Sequence, residues 1–270
     1  FRREVQLTAK LTHPNTVTIY DYGRTPDGKF YYAMELLSGA TLTQVVNASG
    51  EQPVERVVRV LRDAARALNE AHEIGLIHRD IKPSNIMLAR QGGVPDVTKV
   101  LDFGLVKNLG QIDDLEQTNT LSIKGTPHYL SPEAIQEPQG IGATTDLYAL
   151  GAVGYYLLAG RHVFEGKTIM EICLHHLHTK PLPLAEVGSF DVPKALEELI
   201  LACLEKDQAN RPASGQELAD ALDQLDVSSW TRMDAEAWWD VFGEEIERAK
   251  APLPPASATE QTVAIDLDAR

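Results

Sequence analysis

The octet His78-Arg79-Asp80-Ile81-Lys82-Pro83-Ser84-Asn85 sets an acid, a cation and an amide at intervals suited to moving a phosphoryl group. Asp80 can accept a proton from an attacking hydroxyl. Lys82, two positions on, can neutralise the phosphoryl in transfer, and Asn85, five positions on, can hold a metal ion. Such a reaction asks a protein for positioning and charge stabilisation more than for covalent chemistry. The octet lies between two short apolar runs, Gly75-Leu76-Ile77 and Ile86-Met87-Leu88. Further on, Val97-Thr98-Lys99-Val100-Leu101 reads as a strand that ends in Asp102-Phe103-Gly104, where an acid can chelate Mg²⁺ bridging two phosphates. Gly125-Thr126-Pro127-His128-Tyr129-Leu130-Ser131-Pro132-Glu133 follows.

In this order and spacing the three segments resemble those of eukaryotic-like bacterial serine/threonine protein kinases, and the resemblance runs over roughly residues 1–226. It implies an α+β, two-lobe fold: a mainly helical C-lobe and a partial N-lobe of the αC helix with two or three strands. It implies ATP and Mg²⁺ as cofactors, with Mn²⁺ able to substitute, and proteins bearing Ser/Thr acceptors as substrates. Lys82 matches the lysine that separates serine/threonine from tyrosine kinases. His78 matches a histidine packed beneath the phenylalanine at Phe103, next to Gly104, and Arg79 one that pairs with a phosphorylated residue of the activation segment. Thr118 and Thr120 stand where related kinases autophosphorylate, with a homodimer as the implied route. Thr126 matches the threonine that binds the catalytic acid and lysine. Met34 matches the gatekeeper and Glu35-Leu36-Leu37 the hinge, whose backbone holds adenine, while Met87 matches its floor. Glu4, in Phe1-Arg2-Arg3-Glu4-Val5-Gln6, matches the αC acid that pairs with the ATP-holding lysine. Asp146 is implied to grip the catalytic loop from below, and Arg211 to form a buried bridge with Glu133. Ser131-Pro132-Glu133 departs mildly from the usual Ala-Pro-Glu.

The elements that must position these residues follow from periodicity. Phe1, Val5, Thr8 and Leu11 form a helical stripe; 16–22 and 30–37 read as strands around the turn Thr25-Pro26-Asp27-Gly28-Lys29. A short helix is expected near Thr41-Leu42. Val54, Val57, Val58, Leu61, Ala64, Ala65, Leu68 and Ala71 give one stripe of a long amphipathic helix ended by Gly75, with Arg56, Arg59, Arg62, Asp63 and Glu70 mostly on a solvated face. Asp146 opens an apolar helix from Leu147 to Leu158, favoured there by the helix dipole. His175, His176 and His178 read as helix-end surface residues, not a metal site. A further helix covers 194–206, and Ser214-Gly215-Gln216-Glu217 is a capping box.

Composition is that of a soluble globular chain, and a net charge of −14 argues against a nucleic-acid binder. Cys173 and Cys203 sit in apolar helical patterns and read as buried thiols. The longest apolar run is too short and glycine-rich to span a bilayer. A cytoplasmic location is expected, including as the cytoplasmic part of a membrane-anchored kinase. The expected organisation is a partial N-lobe over 1–37, a C-lobe over 38–226, a helical extension with Trp230, Trp238 and Trp239 packed on the C-lobe over 227–250, and a disordered tail over 251–270. No glycine-rich loop or partner lysine for Glu4 occurs in this sequence. The chain is therefore expected to be an inactive piece of an active parent, aggregation-prone at an exposed sheet edge. A small-molecule phosphotransferase and a non-catalytic scaffold stay open as alternatives.

Overall fold

A computed structural model describes residues 6–26, 30–103, 127–188 and 191–250. The readings made above for Glu4, Gly104, Thr118, Thr120, Thr126 and the tail fall outside the described residues. Strands β1 (Ile19–Arg24) and β2 (Phe30–Met34) form an antiparallel hairpin. A second antiparallel sheet has β3 (Gly39–Thr41), β4 (Ile86–Gln91) and β5 (Val94–Val100) in the order β3-β4-β5. Between β3 and β4 come α1 (Leu42–Ser49), which Thr41 and Gln44 cap reciprocally, and α2 (Val54–Glu73), which ends before Gly75 at φ 76°. After β5 follow α3 (Pro132–Gln136), α4 (Ala143–Ala159), α5 (Ile169–His178), α6 (Lys194–Cys203), α7 (Gly215–Asp223) and α8 (Arg232–Lys250). The architecture is α+β, with the strands in a small part of a mostly helical body.

Helix α4 runs through the middle of that body, and every residue from Thr145 to Ala159 is buried. It is apolar on all sides, as a helix covered on all sides must be. Its glycines allow the close approach: a Cβ on Gly151 would stand 2.5 Å from the Cβ of Cys203 on α6. Cys173 and Cys203 are buried free thiols. The apolar stripe of α2 packs against α4 and α7, each fully buried Val or Leu contributing roughly 1.5–3 kcal/mol.

Four expectations about polar side chains change. Arg56, placed on the solvated face of α2, is 1% exposed and donates to Asp96 of β5 at 2.8 and 3.0 Å. Glu70 of the same face accepts from the backbone N–H groups of Thr12 and His13 at 3.0 Å, tying α2 to the strand-bearing part. His176 is buried, not at the surface, with Nδ1 at 2.8 Å from the Tyr148 hydroxyl. At α7, Ser214 accepts from Glu217 N, but the Glu217 carboxylate reaches Ala213 N and not the Ser214 amide, so only half of the capping box forms.

Candidate active site

The octet is a loop between α2 and β4, held from beneath. Asp146, in the first turn of α4, accepts from the amides of His78 and Arg79 at 2.8 Å each, one on each carboxylate oxygen. His72 Nε2 lies 2.8 Å from Asp146 as well, so α2 shares that anchor. The grip lets Arg79 sit at φ 65°, in the left-handed region, where a non-glycine residue costs of the order of 1–2 kcal/mol. The His78 ring packs on Phe103 with centroids 4.7 Å apart, and its Nε2 is 2.7 Å from the Leu101 carbonyl. Burial, only partly opposed by Asp146, holds the His78 pKa below 6.5. His78 is thus a neutral packing group that joins the loop to the end of β5.

Asp80 is half-buried, and its Oδ2 receives two donors, Lys82 Nζ at 2.7 Å and Asn85 Nδ2 at 3.0 Å. Asn85 Nδ2 also donates to the Asp80 carbonyl at 2.8 Å. The acid, the cation and the amide of the octet therefore meet at one carboxylate edge. The β4–β5 hairpin completes the constellation. Leu101 N donates to the Asn85 carbonyl at 2.9 Å, which puts Asp102, at φ 55°, beside Asn85. For a hard divalent cation the donors fit: the Asp102 carboxylate and the amide oxygen of Asn85, whose nitrogen is already spent on Asp80. Tyr32 of β2 faces this acid; burial and then the Asp102 charge push its phenol above 10.

The hinge residues are brought to the same side by pairing of the 15–18 segment with β5. Val17 N donates to the Val100 carbonyl at 3.1 Å, and Glu35 N to the Thr18 carbonyl at 2.9 Å. Met34 ends β2 and is 44% exposed; Leu37 and Met87 are half-buried, Met87 lying opposite Lys99 and Thr41 in the sheet. The Glu35 side chain turns toward β5, where its Oε1 accepts from buried Lys99 at 2.7 Å and from Thr18 N at 2.9 Å. It can therefore serve adenine only through its backbone. Lys99 escaped the sequence reading, although a lysine inside a buried strand needs a buried acid and the hinge offers one.

The Arg211–Glu133 bridge lies below the loop. The guanidinium meets both carboxylate oxygens at 2.8 and 2.9 Å, and Thr145 donates to Glu133 at 2.7 Å. Burial pushes the Glu133 carboxyl up, but Arg211 and Thr145 outweigh it and leave it below 4.5. Tyr129, Leu130 and Ser131 line a small cavity with Arg79, Asp80 and Lys82.

The protein kinase domain family matches residues 1–222. Serine/threonine-protein kinase pkn3 of Myxococcus xanthus is 35% identical over 260 residues, 96% of this chain and 47% of the relative. Serine/threonine-protein kinase PknB of Mycolicibacterium smegmatis is 36% identical over 221 residues, 81% of this chain and 34% of the relative. The chain thus spans half or less of the length of these relatives. Among solved structures, the kinase domain of PknI from Mycobacterium tuberculosis superposes with a TM-score of 0.63 at 26% identity, covering 83% of this chain and 76% of that one. Among the described residues, no helix is long and apolar enough to cross a membrane.

Proposed function

Because this chain belongs to the protein kinase family, we propose that it carries the catalytic lobe of an enzyme that moves the γ-phosphoryl group of Mg·ATP to serine or threonine hydroxyls of proteins. The observation that carries this reading is the shared carboxylate edge, with Lys82 and Asn85 both donating to Asp80 Oδ2. Asp80 takes the proton of the attacking hydroxyl as its oxygen bonds to phosphorus and the bond from phosphorus to the ADP oxygen breaks. Lys82, 2.7 Å from that acid, faces the transferred group and offsets its charge. Asp102 and Asn85 would hold Mg²⁺, which neutralises the phosphates when bound. The hinge backbone at 35–37 would take adenine above Met87.

Arg79, beside the base, would receive a phosphate on Thr118 or Thr120, whose added charge of about −2 orders the segment. Transfer between two copies is the route we propose for that modification. The location we propose is the cytoplasm.

The test is γ-phosphate transfer from Mg·ATP to a generic Ser/Thr protein substrate. It is run on this chain and on the chain with a glycine-rich loop and strand lysine supplied upstream. Transfer by the extended form alone, reduced roughly 10²–10⁴-fold by Asp80→Asn, is the expected result. Transfer to a small molecule but to no protein, or folded extended protein with no transfer at all, would overturn the reading.

A further inference from the structure

All three tryptophans of the chain lie at 227–250, and all three converge on one buried ion pair. Trp230 and Trp239 donate their indole N–H groups to the two oxygens of Asp96, at 2.9 and 2.7 Å. The Arg56 guanidinium meets the same oxygens, lies 4.0 Å from the Trp238 ring centroid, and gives its remaining end to Gln52 Oε1 at 2.8 Å. Asp96 itself is 2% exposed and sits at φ 57° within β5. A carboxylate in so dry a place is stable only with its acceptor sites filled, and α8 with the residue leading into it supplies half of the donors.

The far end of α8 has a second anchor. Lys250 Nζ donates to the Gly39 carbonyl of β3. Gly39 lies two residues past the hinge and cannot shift independently of β4. A Cβ there would stand 2.0 Å from the Leu88 carbonyl, and its φ is 149°. Between the anchors the helix packs on α1 and β5 and leaves an open cleft of about 510 Å³ lined by Ser38, Arg90, Trp239 and Glu247. The strand order is β3-β4-β5. One anchor is on each outer strand, β4 between them carries Met87, and β5 leads to Asp102.

We propose that α8 is a brace across the nucleotide-bearing sheet, with Asp96, Trp230, Trp239 and Lys250 as positioning residues for the hinge, the adenine floor and the metal acid. This deepens the kinase reading and rests on it for the ligand, while the brace itself is a property of the fold.

The test uses the full chain, because all of its tryptophan fluorescence comes from this site. Tryptophan emission and amide hydrogen exchange at 39–41 and 86–89 are followed in Asp96→Asn, Lys250→Met and Lys250→Arg. Asp96→Asn is expected to shift emission to the red and to speed exchange in both strands about tenfold. Lys250→Met, a change at a partly exposed side chain that leaves the core alone, is expected to keep emission in place and to speed exchange at 39–41 about threefold, with Lys250→Arg restoring it. Emission that moves while exchange in β3 and β4 does not would overturn the brace, and so would Lys250→Met exchange equal to that of the parent. Mg·AMP-PNP affinity, measured with a glycine-rich loop and strand lysine supplied upstream of both the parent and the variant, separates the two readings. If the parent binds and Lys250→Met binds about threefold or more weakly, positioning is upheld, whereas equal affinities overturn it. If the parent does not bind, the nucleotide reading falls, and the exchange result alone decides the brace.

Discussion

Two buried arginine–carboxylate pairs hold this protein together, and they are built in opposite ways. In the Arg211–Glu133 pair the arginine is the saturated partner. Besides the two carboxylate oxygens it bonds the carbonyls of Thr144, Glu205 and Lys206 at 3.1, 2.8 and 3.2 Å. In the Arg56–Asp96 pair the carboxylate is saturated, taking two guanidinium and two indole donors. The first is closed largely by backbone within the helical body. The second is closed by side chains brought together from 52, 56, 96, 230 and 239. Removing the saturated partner strands the most groups, so the two pairs should break most severely at opposite members.

The largest effects are therefore expected for Asp96→Ala and Arg211→Ala. Asp96→Ala leaves a buried guanidinium and two indole N–H groups without their acceptor. Arg211→Ala leaves Glu133 with Thr145 and three backbone carbonyls without a donor. Each should cost on the order of 3–5 kcal/mol in urea unfolding. Only Asp96→Ala should also move tryptophan emission, because the Glu133 pair touches no indole. Equal spectra in both variants would erase the distinction between the pairs.

The same contrast explains what could be read in the sequence. The loop from His78 to Asn85 was legible because its residues are contiguous and their geometry follows from short backbone spacing, with the Leu101–Asn85 hydrogen bond closing it onto Asp102. Arg211 and Glu133 became readable through resemblance, since each lies in a segment that the family shares. Arg56 did not. Helical periodicity put it with Arg59 and Arg62 on the polar side, and nothing local shows that β5 and α8 cover that part of α2. Its signal was indirect. Three tryptophans in or just before an acidic helix need acceptors if they are buried, and Asp96, next to Pro95 in β5, was the unclaimed acid. His176 was missed for a similar reason, because a helix end looks exposed until the segment that covers it is known. Lys99 and Glu35 likewise sit too far apart in sequence for any local pattern to pair them.

Arg56→Met sharpens the comparison at a smaller scale. Asp96 would keep both indoles, so the carboxylate is half satisfied, and Met fills much of the vacated volume. A cost near the lower end of about 3–5 kcal/mol is expected, below that of Asp96→Ala, with a smaller change in tryptophan emission because both indoles keep their acceptor. A cost for Arg56→Met equal to that of Asp96→Ala would show that the arginine, and not the carboxylate, is the centre of this cluster.

Acid should separate the histidines from the ion pairs. Burial lowers the pKa of His162 to about 4 and that of His176 to about 3, the latter with help from Lys206. Both folded values lie below 6.5, so the unfolded chain takes up these protons first. The stability they contribute is complete above pH 6.5 and is lost as pH falls toward those values, at about 1.4 kcal/mol per pH unit for each proton withheld. Glu133 is held below 4.5, so its contribution is untouched until pH falls past that point. Unfolding midpoints should thus begin to drop near pH 6.5 and steepen below 4.5. His176→Phe should flatten the fall from pH 6.5 down to about 3, and Arg211→Met only the part below 4.5.

The smallest effect is expected where an arginine and an acid meet without burial. Arg232 and Glu236 on α8 approach to 2.7 Å, as close as any contact in the buried clusters, but the side chains are 64% and 45% exposed. Water and salt screen the pair, and ordering two long side chains offsets much of the attraction, so a helical i,i+4 contact of this kind is worth about 0.3–0.5 kcal/mol. Arg232→Ala should therefore shift the urea midpoint by about a tenth of the Asp96→Ala shift, although both residues serve the segment at 227–250. If it shifts the midpoint by as much, distance rather than desolvation would be setting these energies. The opposed behaviour of the two buried pairs would then have to be explained by geometry alone.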